Sequence, residues 1–453
     1  MVPPRRFLDR LRRGSRRRAG RIALEVGPDL DERDATRVRD VIGHLLERRD
    51  TATERVEVAA IADAYSTLSD RGRVRFLAML AHDFWTDDAA VDRAIKTRIT
   101  ATGEASRRGA ERALRVALTP PTARLLRLFT GLDDGVKFLV DLRADEIRLA
   151  ADPDITPENA AGLTEIGNEL RAQLATLFDV GLLELRRLTW ATPAALLEKL
   201  IEYEAVHTIS SWEDLKNRLD SDRRCFAFFH HAMPDEPLVF VEIALTNGTP
   251  SLLAPLLDAS APDLHPEQAD TAAFYSISNC QPGLLGVNLG TALIEQVVDR
   301  LRRDLPQLQH FVTLSPIPGY RGWLAQTMHE DDLRPHERAL LPAAPERVLS
   351  RLSHTAWDTD ESIQPALMAL CARYLTTTRD GRALDPVANF HLANGASIQR
   401  INWLADPSPT GRDRSVGLMA NYVYEPDHIG ARAEGFVARN EVAMSNTVRE
   451  LLS

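Results

Sequence analysis

Cysteine is scarce in this chain of 453 residues: Cys225, Cys280 and Cys371 are the only three. They are far apart and odd in number, so neither a disulfide framework nor a zinc spacing follows, and a reducing compartment fits them best. Buried, inert thiols are the expected reading. Long hydrophobic runs are missing too, since none approaches the roughly 18 residues that read as a membrane span. Positive charge is not in excess. The net charge of −10 argues against broad nucleic-acid binding, though not against a local anion site. No His, Cys and carboxylate residues fall at metal-ligand spacing. What is there, 44% hydrophobic and 26% charged residues, is the composition of an ordinary globular protein with room for more than one domain.

Charge is unevenly spread. The first 21 residues hold nine arginines against one aspartate, so 1–27 is expected to be a solvated, flexible tail, with a cleavable organelle transit peptide as the alternative. The segment lacks the apolar core of a secretory signal. The last residues, Arg449-Glu450-Leu451-Leu452-Ser453, carry no peroxisomal Ser-Lys-Leu address.

Two halves then follow with different patterning. From 28 to 188 apolar residues recur at helical spacing: Val38, Val41, Ile42, Leu45 and Leu46; Val74, Leu77 and Leu80; Ile166, Leu170, Leu174 and Leu177. Pro120-Pro121 marks a helix start and 130–135 a loop. This half reads as a helical, oligomerisation domain. From 189 to 453 strand-like runs appear: Cys225–His230, Leu238–Leu245, Phe311–Leu314, Gln399–Trp403 and Gly417–Tyr424. Residues 325–385 return to helices and loops. The expected fold class is α+β with two domains, an all-α bundle followed by a mixed α/β domain.

Within the second half, Phe274 to Leu301 reads as a strand, a glycine-bearing loop and an amphipathic helix. Gly283, Gly286 and Gly290 let the backbone turn and approach a ligand closely. Free amides at the helix start favour an anion such as a phosphate. The loop is neither a Walker loop, since no Lys-Ser or Lys-Thr closes it, nor a clean Gly-x-Gly-x-x-Gly. Its glycines equally fit a buried turn that serves packing alone.

Two downstream residues carry chemistry of their own. Ser315 stands where a strand breaks into Ser-Pro-Ile-Pro-Gly, a strand end with rigid backbone beyond it; a serine satisfied by its own loop is the alternative. His391 sits among apolar residues before an Asn-Gly turn. Its ordinary pKa suits proton transfer at neutral pH, and a core histidine is the alternative. No Asp orienter accompanies the pair, so a hydrolytic triad is poorly supported.

At this point the chain resembles a known family, malonyl-CoA decarboxylase. The resemblance is carried by Arg223-Arg224-Cys225-Phe226, Phe274-Tyr275-Ser276-Ile277-Ser278, Gly283-Leu284, Leu289-Gly290-Thr291, LSPIPG from Leu314 to Gly319, PVANFHLANGA from Pro386 to Ala396, RINWLAD from Arg400 to Asp406 and GLMANY from Gly417 to Tyr422. Trp190 to Leu219, which contains Glu204-Ala205-Val206-His207, also matches. The strings occur in order across the C-terminal half, and the helical half is similar more loosely.

The resemblance implies a helical domain followed by a GNAT-type acyltransferase fold turned to decarboxylation. It implies malonyl-CoA as substrate, acetyl-CoA and CO2 as products, no metal or biotin and no cofactor beyond the CoA thioester. It makes Ser315 and His391 the catalytic pair and Leu285, Gly286, Val287, Asn288, Leu289, Gly290 and Thr291 the acyl-CoA loop. Family loops can carry a glutamate where Asn288 stands, and Leu285 occupies the usual Arg/Gln place of acetyltransferases, so phosphate contacts are expected through backbone amides. In the resulting mechanism His391 protonates an enolate, Ser315 orients the malonyl group or relays a proton, and Asn394, Asn421 and Tyr424 supply further polar contacts. The expected partners are malonyl-CoA and acetyl-CoA, with no nucleic acid and no membrane, in a homodimer or homotetramer of the bacterial cytoplasm. An acyl-CoA-dependent N-acyltransferase, which needs an amine acceptor, and a non-catalytic CoA-binding scaffold are the alternatives.

Overall fold

Helices come first because the first half offers one apolar stripe per segment and few β-branched runs. The computed structural model describes residues 24–47, 51–261, 264–287, 289–329, 332–352, 357 and 360–453; most of the Arg-rich tail expected at 1–27 lies outside the described residues. Among the described residues, eight α-helices precede the first strand: α1 Glu32–Glu47, α2 Thr51–Ser66, α3 Asp70–Asp83, α4 Asp88–Thr100, α5 Glu104–Ala117, α6 Pro121–Phe129, α7 Gly135–Ala150 and α8 Pro157–Leu177. Local chemistry sets their starts. The Ser69 hydroxyl accepts from the Gly72 amide ahead of α3, the Thr156 hydroxyl accepts from Asn159 ahead of α8, and prolines occupy the first positions of α6 and α8. Val38, Ile42 and Leu45, Leu77 and Leu80, Leu125 and Leu126, Leu139 and Leu142, and Ile166, Leu170 and Leu174 are all buried, one stripe from each of five helices.

The chain divides into two compact units. One comprises the chain as far as Leu182 together with two later segments, His230–Pro234 and Gln281–Val287. Gln281–Val287 joins it by close packing: a Cβ on Gly283 would run into the carbonyl oxygen of Val140 on α7.

The other unit comprises Leu183–Phe229, Asp235–Cys280 and the rest of the chain to Ser453. Its strands are β1 Leu183–Leu188, β2 Arg223–His230, β3 Val239–Thr246, β4 Thr271–Asn279, β5 His310–Thr313, β6 Ser315–Pro316, β7 Thr378–Arg379, β8 Arg382–Ala383, β9 Ser397–Asn402 and β10 Met419–Val423. The main sheet runs β1-β2-β3-β4-β5-β10-β6, with β9 also paired to β10, while β7 and β8 form a separate pair. β4 and β5 are parallel; β2–β3, β3–β4, β5–β10, β6–β10 and β9–β10 are antiparallel. β2 and β3 are buried along nearly their whole length, which is why they read as unbroken apolar runs. The strand Leu183–Leu188 departs from the helical pattern read as far as 188; its residues mix leucine with charge and it lies half-buried at a sheet edge.

The helices of this unit are α9 Ala194–Tyr203, α10 Trp212–Arg218, α11 Ala254–Leu257, α12 Leu289–Asp304, α13 Tyr320–Thr327, α14 Pro335–Ala339, α15 Pro345–Arg351, α16 Gln364–Thr376, α17 Pro386–Ala393, α18 Pro409–Ser415, α19 Ile429–Arg439 and α20 Asn446–Glu450. The chain is thus a helical region followed by a mixed α/β domain. Among the described residues, no helix is long and apolar enough to cross a membrane.

Candidate active site

Strand β5 stops at Thr313, and Ser315 opens β6 opposite Ala420 of β10. Pro316 follows at once, and a residue before proline is held in extended backbone. Thr313 and Ser315 are two apart, the spacing that places strand side chains on one face. The buried Ser315 hydroxyl donates to Thr313 Oγ1 at 2.9 Å and lies 3.0 Å from His391 Nε2. Thr313 Oγ1 also accepts from the Tyr422 amide at 3.2 Å, which fixes it in turn.

His391 comes from α17. The apolar stretch around it is a short helix, because Asp385 caps its start by accepting from the amides of Val387 and Ala388 at 2.9 and 2.8 Å and Pro386 fills the first position. The ring stacks on Tyr422, with centroids 4.4 Å apart and planes at 27°. Its second nitrogen, Nδ1, lies 2.8 Å from the Tyr424 hydroxyl. Because Ser315 spends its proton on Thr313, its oxygen accepts from Nε2–H, and Nδ1 accepts from Tyr424. The four groups form one consistent chain of donors, Tyr424 to His391 to Ser315 to Thr313.

Burial sets the charge of this chain. It pushes the His391 pKa down from 6.5 to about 3, so the ring is neutral at physiological pH. The ordinary pKa expected from the sequence does not survive desolvation. Burial likewise pushes the Tyr422 and Tyr424 phenols up, so both keep their protons. The group on Nδ1 is a hydroxyl where a hydrolytic triad would have a carboxylate.

The remaining expected residues fall into three groups. Asn394, at the end of α17, is buried. Its Oδ1 accepts a short hydrogen bond from the Thr291 hydroxyl in the first turn of α12, and its Nδ2 is buried without a partner among the described residues. Gly290 packs beside this bond, against the ring of Phe390. The start of α12 is thereby locked to the helix that carries His391. Asn421 is fully occupied: Nδ2 donates to Thr313 O at 2.7 Å and Pro250 O at 3.1 Å, while Oδ1 accepts from Asn402 and Arg400 at 2.8 and 3.2 Å. That arrangement braces the strand break beside Ser315. The loop residues are divided. Leu285, Gly286 and Val287 belong to the helical unit, Leu289 is buried at the start of α12, and Asn288 lies outside the described residues. Gly286 has φ +79°, where a side chain is strained.

Thr313 and Tyr422 were not singled out from sequence. The signal was there in strand alternation, since Thr313 is two residues from Ser315 and Tyr422 two from Tyr424. Among the described residues, no three His, Cys, Asp or Glu side chains converge as metal ligands would.

Comparison with known proteins gives a consistent result. Residues 181–453 match the family model of the malonyl-CoA decarboxylase C-terminal domain, and residues 84–178 match that of its N-terminal domain. The mitochondrial malonyl-CoA decarboxylase of Anser anser anser is 35% identical over 407 residues, 84% of this chain and 80% of that one. Its counterpart in Mus musculus is 36% identical over 405 residues, 84% and 82% of the two chains. Among solved structures, malonyl-CoA decarboxylase from Agrobacterium vitis superposes with a TM-score of 0.83 at 38% identity, covering 92% of this chain and all 100% of the other. That from Rhodopseudomonas palustris gives 0.81 at 38% identity, covering 92% and 99%.

Proposed function

We propose, for a chain that belongs to the malonyl-CoA decarboxylase family, that it converts malonyl-CoA to acetyl-CoA and CO2 with Ser315 and His391 as its catalytic pair. The observation that carries the reading is the buried 3.0 Å contact between Ser315 Oγ and His391 Nε2, backed by Tyr424 on the far side of the ring.

The chemistry sets what these residues must do. Malonyl-CoA carries a carboxylate on the α-carbon. Breaking that C–C bond releases CO2 and leaves the electron pair on the α-carbon, delocalised as an enolate onto the thioester oxygen. One proton is then consumed to give acetyl-CoA. Removing the carboxylate from water and aiming donors at the developing oxyanion both lower the barrier. The Asn394 amide, with its free Nδ2, is the donor we assign to that oxygen. Ser315 orients the malonyl group. His391 supplies the proton. Its ring is neutral when the site is empty, and the arriving malonyl carboxylate, a negative charge in a desolvated site, raises its pKa and loads it. The acid is therefore charged by the substrate it serves, and no metal or further cofactor enters the scheme.

In the same reading Leu285–Thr291 meets the diphosphate of CoA through backbone amides at the start of α12, and Tyr424 holds the imidazole rather than touching substrate. The protein is a homodimer or homotetramer of the cytoplasm, a setting with which three free, buried cysteines agree. The test is purified protein with malonyl-CoA alone, in heavy water and without any amine. Acetyl-CoA carrying one deuterium in its methyl group is expected. His391→Asn is expected to remove most of it while keeping CoA affinity. Product formed only with an added amine would favour an N-acyltransferase, and binding without turnover a scaffold.

A further inference from the structure

The helix that carries His391 begins on a carboxylate with more to do than cap it. Asp385 is fully buried. Its Oδ1 accepts from the amides of Val387 and Ala388, which completes the cap of α17. A neutral serine or asparagine caps as well and avoids desolvating a charge. No cation pairs with Asp385 among the described residues.

The reason lies on the far side of the carboxyl. The Gly319 amide and the Tyr374 hydroxyl stand beside it, and both favour its charged form. Oδ2 is buried, and neither donor closes a full hydrogen bond on it. Tyr374, on α16, is buried too, and a Cβ on Gly319 would run into its hydroxyl. Gly319 ends the run Ser315-Pro316-Ile317-Pro318-Gly319, in which two fixed proline φ angles and a fully buried Ile317 leave little slack. One carboxylate therefore meets both the helix that aims His391 and the turn that ends the Ser315 segment, all within the mixed α/β unit.

The titratable groups around it are neutral. Tyr374 and Cys371 face it from α16, and Tyr422, the ring stacked on His391, faces it from β10; burial pushes all three up. The Gly319 turn brings no ionisable side chain. Burial also pushes Asp385 up, to about 6. Near neutrality it is the member of this group that changes charge, and a proton on one oxygen turns an acceptor into a donor.

We propose that Asp385 is a positioning residue of the decarboxylation: as a carboxylate it locks the Gly319 turn to the start of α17, and so holds Ser315 and His391 at their working separation. The inference rests on the reading of those two residues as the catalytic pair.

The test is kcat for malonyl-CoA against pH in full-length wild type, Asp385→Asn and Tyr374→Phe. In the wild type kcat is expected to fall on the acid side with an apparent pKa of about 6. The need for a protonated His391 acts on the opposite, basic side. Asp385→Asn keeps the cap and cannot ionise. Its kcat is expected about tenfold below wild type at pH 8, the worth of trading a charge-assisted hydrogen bond for a neutral one. KM should hold, the acid limb should vanish, and the two curves should meet at low pH. Tyr374→Phe removes a donor that favours the carboxylate and is expected to move the acid limb up by about one pH unit. That variant carries the test even if Asp385→Asn does not fold. A wild type without an acid limb, a limb that survives in Asp385→Asn, or one that stays in place in Tyr374→Phe would overturn the inference and leave the dyad standing. Full activity in His391→Asn is a different result: it would remove the dyad reading itself, and this inference with it.

Discussion

Gly290 and Phe390 pack so closely that a Cβ on the glycine would stand 2.5 Å from the ring's Cε2 and 2.8 Å from its Cζ. One residue belongs to the first turn of α12 and the other directly precedes His391. Gly290→Ala must push the ring aside, and with it the turn of α17 that aims the imidazole. The expected outcome is a several-fold loss of kcat with the fold retained. Trimming the ring should relieve it: Gly290→Ala with Phe390→Leu is expected to regain most of the lost activity, a coupling of about 1 kcal/mol or more for residues in contact. Steady-state kinetics of the two single variants and the double variant measure it. Additive losses would mean that the close approach has no bearing on the histidine.

Tyr424 acts on the reaction through the ring it holds. Tyr424→Phe removes the hydroxyl 2.8 Å from Nδ1 and leaves that nitrogen buried without a partner. The ring then loses the bond that fixes its tautomer and rotation. A fall in kcat of about tenfold, equivalent to roughly 1.4 kcal/mol, with KM for malonyl-CoA unchanged, is the expected result. Equal kcat in the variant would reduce Tyr424 to a packing residue.

A neutral, buried imidazole also leaves a mark on stability. Between pH 6.5 and about 3 the unfolded chain binds a proton at this ring that the folded chain refuses. Stability from this source is present above pH 6.5 and is lost as pH falls through that window. At pH 5 the wild type is expected to have lost about 2 kcal/mol relative to pH 8 on account of this one group. His391→Asn has nothing to titrate there. The difference in unfolding free energy between wild type and variant, followed by urea denaturation, should therefore shrink by that amount from pH 8 to pH 5. A pH-independent difference would show that the folded protein protonates His391 as readily as the unfolded chain does.

The elements that pack were legible and the polar wiring was not. Strands such as Val239–Thr246 are buried almost throughout, so hydrophobicity alone marked them. Helices such as Pro157–Leu177 announced themselves by Ile166, Leu170 and Leu174 on one face. Ser315 and His391 stand 76 residues apart in sequence, and no local pattern joins them; their pairing was expected from family resemblance and not from spacing. The helix around His391 was hidden because eight residues show too little periodicity, although Asp385-Pro386 was its start signal. Arg143 of α7, buried with its guanidinium on the carbonyls of Gly283 and Leu285, was out of reach for another reason. A charged residue on an amphipathic helix is normally on the wet face, and only the return of Gln281–Val287 to the helical unit buries it.

Asn421 separates a substrate contact from a brace. Its amide makes four hydrogen bonds, to the carbonyls of Thr313 and Pro250 and from the side chains of Asn402 and Arg400. No donor is left over for a ligand. Replacing it by leucine keeps the approximate volume and takes one hydrogen bond from each of those four partners, one of which, the Thr313 carbonyl, stands at the strand break that sets Ser315. Each buried group left unpaired costs roughly 1–3 kcal/mol, so a loss of several kcal/mol in unfolding free energy is expected. Activity should fall because the dyad loses its support, and the fall should appear in kcat. A residue that instead met the malonyl group would behave differently: KM would rise and the urea midpoint would hold. Measured together on Asn421→Leu, the midpoint and KM assign the residue to one role or the other, and the geometry requires the midpoint to move.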